Sequence, residues 1–181
     1  MTAIQLAIKR ISPQQLFMGS AFLVNGGNYF YNLLLGRMLG PEAFADAALL
    51  VTLLLVLSFI GMTFQLATTK FAVLFDEERW TNFKNTMYRY ALVFGLVTGT
   101  LILFGANYLQ VLFRTENHWM FVVFAIFMPL YFVMSVNRGR FQGRQEFGKL
   151  ATTYQTEMWS RLLLTFVFLW ILPFQSAILI A

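Results

Sequence analysis

RGRFQGRQEF, residues 138–147, is a short arginine- and glycine-rich stretch between two apolar runs, 119–137 and 162–181, each long enough to cross a membrane. A hydrocarbon core about 30 Å thick takes about 20 helical residues to span. Outward from this segment, charge-free runs of that order also occupy residues 11–36, 47–69 and 90–113, so at least five crossings are expected. Of the 181 residues, 59% are apolar and 12% charged, against about 45–50% and about 25% in an ordinary soluble domain. The apolar runs contain Gly and Phe freely and lack the period-two alternation that barrel strands of roughly ten residues need, which leaves helices. The first run exceeds the roughly 7–15 apolar residues of a signal peptide and reads as a retained helix. The expected fold is an all-α membrane protein: one domain, 1–181, forming an antiparallel bundle of transmembrane helices.

The net charge of +5 raises the question of a nucleic-acid partner, and the placement of the basic residues answers it. Lys9 and Arg10 precede the first run. Lys70, Arg79, Lys84 and Arg89 surround the second gap, and Arg138, Arg140, Arg144 and Lys149 the fourth, whereas the gaps between hold only Arg37 and Arg114. Ten against two in alternating gaps is the positive-inside pattern. It puts the amino terminus and the 138–149 segment in the cytoplasm, with the basic residues against anionic lipid headgroups and no nucleic-acid partner. Cysteine is absent, which excludes disulfides, a thiol nucleophile and a thiolate metal site.

The first helix is expected over 13–36, beginning at Pro13, whose missing N–H suits a first turn. Gly40-Pro41 makes a tight turn into a second helix over 43–75, which is longer than a membrane needs and so projects or tilts. DEERWTNFK, 76–84, reads as an interfacial loop with Trp80 and Phe83 at headgroup level. A third helix is expected over 85–106, NYLQVLFRTENHW as an outer loop, and a fourth helix over 118–137, kinked at Pro129. The fifth has two versions. In one it runs over 147–172 with Arg161 at membrane depth, Pro173–Ser176 forms an outer turn, and 177–181 starts a sixth helix. In the other, 162–181 is a single kinked span with Arg161 at the interface.

Polar groups at membrane depth are costly and generally face a cavity or a partner. Asn25, Asn28 and Asn32 fall within about 60° of one another at about 100° per residue and form one stripe. Ser58, Gln65 and Thr69 line up beside Gly61 on the second helix. The fifth carries Thr153, Glu157, Ser160 and Arg161, with Glu157 and Arg161 one turn apart and able to pair. Such stripes either join helices by hydrogen bonds or line a cavity. Lys70 and Arg161 either face a cavity or snorkel to the interface. The candidate cavity residues are Asn25, Asn28, Asn32, Gln65, Lys70, Glu157 and Arg161.

No phosphate loop, H-E-x-x-H or G-x-S-x-G occurs, and a single histidine, His118, cannot build a multi-histidine metal site. Asp76-Glu77-Glu78 reads as a solvated charge run. No enzymatic activity, cofactor or metal is expected.

Three patterns, in order, resemble the polysaccharide (O-antigen type) flippase branch of the multidrug/oligosaccharidyl-lipid/polysaccharide exporter superfamily. LLLGRMLGPEAF, 33–44, is similar to that family's first hairpin. GMTFQLATTKFAV, 61–73, is similar to its polar end of helix two, with Lys70 in the usual basic position. RGRFQGRQEF is similar to its cytoplasmic turn between helices four and five. Ala45-Asp46 departs from the pattern, which commonly has glycine after the aromatic. The resemblance covers five helices and the start of a sixth, one lobe of a two-lobed family, and so implies a fragment, a truncated product or the partner of a second chain. It favours the early start of helix five. It implies passage of a lipid-linked oligosaccharide across a bacterial cytoplasmic (inner) membrane by alternating access. The asparagines would then meet sugar hydroxyls, and Arg161 or Lys70 a pyrophosphate or acidic sugar. The alternatives are a cation-coupled multidrug exporter, which needs an acid such as Glu157, a noncatalytic component of a polysaccharide secretion assembly and, least favoured, an intramembrane enzyme.

Overall fold

A computed structural model of the protein describes residues 12–115 and 117–171, with the backbone alone for residues 42, 166 and 168–171. These residues form five α-helices and no strand: α1 Pro13–Met38, α2 Pro41–Leu74, α3 Glu77–Phe113, α4 Trp119–Gly143 and α5 Phe147–Ile171. Lys9, Arg10, residue 172, the expected turn at Pro173–Ser176 and the start of a sixth helix at 177–181 lie outside the described residues.

Local chemistry sets each start. The hydroxyl of Ser12 accepts from the Gln15 N–H at 3.2 Å while the Gln15 side chain accepts from the Ser12 N–H at 2.9 Å, a reciprocal cap completed by Pro13 at the first helical position. Pro41 does the same for α2 after the extended Gly40. Asp76 accepts from the Arg79 N–H at 2.9 Å, and Glu77 and Glu78 occupy the positive end of the α3 dipole.

Several expected loops are helical instead. The stretch 76–84 is the first part of α3, not an interfacial loop, because Asp76 starts the helix there. Trp80 is buried rather than set in headgroups, and Phe83 packs on Phe71 with ring centroids 4.6 Å apart. The outer loop is shorter than expected, since α3 continues to Phe113 and turns at Arg114, whose φ is 54°. Residues 138–143 extend α4, and the turn into α5 is only Arg144–Glu146, with Gln145 at φ 57°. α5 begins at Phe147, as in the early-start version, so Arg161 lies within a helix that starts well before 162.

The bundle is organised around α4, which packs most extensively on α3 and α2. Glycines spaced four apart permit both approaches. A Cβ on Gly95 would stand 2.5 Å from the Pro129 Cα and one on Gly99 2.6 Å from the Ala125 carbonyl oxygen, which joins α3 to α4. On the other side a Cβ on Gly139 would overlap the Gln65 carbonyl oxygen, and one on Gly143 would stand 2.6 Å from that of Thr69. Ala91, Met128, Phe132 and Val136 are buried between α3 and α4, with the Phe94 and Phe132 rings edge-on at 4.9 Å. The remaining helices form a pair. Gln155 donates to the Ser20 hydroxyl at 2.9 Å, and the Tyr31 and Thr165 hydroxyls lie 3.0 Å apart, so α1 is held on α5.

Three helices are long and apolar enough to cross a membrane: α2 over Ala43–Leu74, α3 over Glu77–Phe113 and α4 over Trp119–Gly143. The five expected crossings are thus reduced to three by this criterion among the described residues. Asparagines and glutamines dilute α1, and most of the charge-free run 162–181 that α5 enters lies outside the residues described with side chains. Phe22, Leu101, Phe104 and Val111 are left uncovered by the protein, as lipid-facing side chains are.

Candidate functional site: a polar cavity between two helix groups

The α1–α5 pair faces the α2–α3–α4 group across a cavity of about 410 Å³. Asn25 and Asn28 of α1 line it, as do Ser58 and Gln65 of α2, Tyr131, Ser135 and Arg138 of α4, and Tyr154, Glu157 and Arg161 of α5. Hydroxyls, amides and charges thus converge from four helices.

Glu157 sits at its electrostatic centre. One carboxylate oxygen accepts from the Arg138 guanidinium, and the other accepts from Arg161 at 3.2 Å. The Arg138 side chain is 8% exposed, while those of Glu157 and Arg161 are 31% and 27% exposed. Arg138 is therefore the anchored cation and the other two are open to the cavity. The Tyr154 ring lies 4.0 Å from the Arg138 guanidinium carbon, close enough for cation–π attraction, and the Thr153 hydroxyl accepts from its Nε at 3.4 Å. Two guanidiniums against one carboxylate leave the cluster with a net positive charge, in a wall that also includes Val24, Leu55, Met62 and Met158 and is mixed polar and apolar.

Five of the seven sequence candidates meet here: Asn25, Asn28, Gln65, Glu157 and Arg161. Asn32 and Lys70 do not line the cavity. Asn32 is exposed and its side-chain amide donates to the Asn28 carbonyl at 3.0 Å, one turn back along α1. Lys70 is exposed near the end of α2, its Nζ 5.9 Å from the Phe71 ring. The helix-joining role of such polar stripes applies to part of α2. Gln65 donates to the Gln142 side chain at 2.9 Å, and Thr69 donates to the Gly139 carbonyl at 3.2 Å. The pairing of Glu157 with Arg161 is present, but it is half of a three-membered cluster.

Arg138 is the member that sequence reasoning assigned to the cytoplasmic loop. Its signal was the spacing Tyr131, Ser135, Arg138, four and three apart, which continues one polar face of α4 beyond Asn137. Beside the polar cavity lies an apolar one of about 300 Å³, walled by residues such as Leu35, Met120, Phe124 and Leu164, and the two share Val51, Leu54, Tyr131 and Arg161. A comparison of the chain with family models, curated proteins and solved structures finds no match.

Proposed function

We propose that this chain is a multi-pass, non-enzymatic transport protein that moves a lipid-linked oligosaccharide across a bacterial cytoplasmic membrane by alternating access, as the resemblance to the flippases implies. The observation that carries it is the junction of the two cavities. A cavity that carries the cationic cluster and several amides and hydroxyls in a partly apolar wall adjoins a more apolar one, with Tyr131 and Arg161 on the shared wall. A glycolipid is built the same way: hydroxyls and a pyrophosphate at one end, hydrocarbon at the other. Arg161 and Arg138 suit the phosphate oxygens, and Asn25, Asn28 and Ser58 suit sugar hydroxyls.

In this proposal the helices run antiparallel across the bilayer, with the amino terminus and the α2–α3 and α4–α5 connections in the cytoplasm, and a second lobe or partner chain closes the cavity. An acid available to couple a cation is less well supported, because Glu157, the candidate for it, is held by two guanidiniums.

Proteoliposomes containing the chain together with the second lobe or partner that co-purifies with it, and a fluorescent polyprenyl-pyrophosphate oligosaccharide, test this by leaflet-specific quenching. Leaflet exchange is expected from the wild type. Arg161→Gln is expected to slow it about ten-fold or more, the worth of one charge-assisted hydrogen bond, at unchanged membrane insertion. An unchanged leaflet distribution with wild-type protein overturns the proposal.

A further inference from the structure

A second pocket, of about 300 Å³, lies away from the cavity, where the first turns of α3 meet the end of α4 and the start of α5. Four cations line it, Lys84, Arg140, Arg144 and Lys149, against two carboxylates, Glu77 and Glu146. Four against two leaves a net charge of +2.

Its carboxylates are committed. Glu77 accepts from Arg144 at 2.6 Å, and Glu146 pairs with Lys149 at 3.0 Å. Among the described residues neither Lys84 nor Arg140 has a carboxylate within ion-pair reach. Arg144 is under-satisfied as well. Its guanidinium lies over the buried Trp80 ring at 5.4 Å, and its Nη2 is buried with no hydrogen-bond acceptor. A buried guanidinium N–H without an acceptor is costly, so Arg144 retains unmet hydrogen-bonding capacity beside the pocket.

We propose that this pocket binds a phosphate group, carried by an anionic phospholipid headgroup or free in solution. Lys84, Arg140 and Arg144 line the same pocket, and Arg is well shaped for contacts with phosphate oxygens. Basic pockets between helices on the cytoplasmic side of a membrane bind anionic headgroups; the lipid source rests on the topology proposed above, and the phosphate chemistry does not.

The full chain, purified and delipidated in a neutral detergent, is titrated by calorimetry with short-chain phosphatidic acid, with short-chain phosphatidylcholine and with inorganic phosphate. Saturable binding of phosphatidic acid is expected, at least about ten-fold tighter than phosphatidylcholine. Lys84→Gln with Arg140→Gln should weaken it about 30-fold, at about 1 kcal/mol per cation, while Arg89→Gln, outside the pocket, leaves it unchanged. If the double variant loses its helical circular dichroism, Lys84→Gln alone replaces it, with about five-fold weakening expected. Binding of inorganic phosphate as well identifies the phosphate group as sufficient, and binding of the lipid alone identifies the membrane as its source. No saturable binding by either phosphate compound, or equal binding by a folded pocket variant and the wild type, overturns the proposal. The inorganic-phosphate arm needs no transport activity, so its outcome is independent of glycolipid movement.

Discussion

Glu157 accepts from two arginines in different surroundings, and that difference is measurable. The Arg138 side chain is buried, so its charge depends on Glu157 and on the Tyr154 face, whereas that of Arg161 is 27% exposed. Removing one partner of a buried pair leaves an uncompensated charge in low dielectric; a half-buried i, i+4 pair that opens on the cavity is better screened and contributes less. Double-mutant cycles with Arg138→Met, Arg161→Met and Glu157→Gln, read by reversible unfolding in detergent, should give a coupling of about 1–3 kcal/mol for Arg138–Glu157. The Arg161–Glu157 coupling should stay below about 1 kcal/mol. Equal couplings would contradict the burial-based distinction. The weaker pair was legible in the sequence because i, i+4 proximity is a local property of a helix. The stronger one, nineteen residues apart, exists only because the turn Arg144–Glu146 folds α5 back on α4, and no local rule announces it.

At the level of helices, the approach of α4 to its neighbours depends on glycines rather than on large apolar side chains. Gly95 and Gly99 admit the backbone of α4 at Ala125–Pro129, and Gly139 and Gly143 of α4 admit that of α2 at Gln65–Thr69. The carbonyls beside these glycines cannot retreat as a flexible side chain can. Gly95→Ala and Gly139→Ala should each destabilise the protein by about 1–3 kcal/mol, the usual cost of overpacking. Gly105→Ala, where a Cβ would meet nothing within 4 Å, should be neutral or stabilising, since alanine is the better helix former. Thermal unfolding of the three variants in one detergent decides between glycines needed for close approach and glycines that are merely tolerated. The existence of all five helices was legible from their apolar runs. The ends of α3 and the end of α4 were not, because both helices continue through charged segments that hydropathy alone assigns to loops. Asp76 as a cap and the i, i+4 glycines of 139–143 were the signals for those extensions.

At the scale of the whole molecule, α2 and α3 are 34 and 37 residues long, or about 51 and 55 Å at about 1.5 Å per residue. A hydrocarbon core about 30 Å thick leaves each with an overhang, and the charged stretch Asp76–Lys84 places that overhang at the α2–α3 connection. The polar residues Asn25 and Asn28 of α1 and Glu157 and Arg161 of α5 line the shared cavity, and in the proposed topology pairing there offsets the cost of placing them at membrane depth. The proposed topology then requires the α2–α3 connection and the α3–α4 connection to lie on opposite sides. The chain has no cysteine, so each introduced one reports alone. Thr81→Cys, on the exposed first turns of α3, and Asn117→Cys, exposed in the α3–α4 connection, are treated on intact cells with a membrane-impermeant maleimide. Asn117→Cys should label at once, and Thr81→Cys only after permeabilisation. The reverse pattern would invert the topology, and labelling of both without permeabilisation would refute the membrane-spanning arrangement, because the overhang at Thr81 would then share a compartment with the opposite end of the same helix.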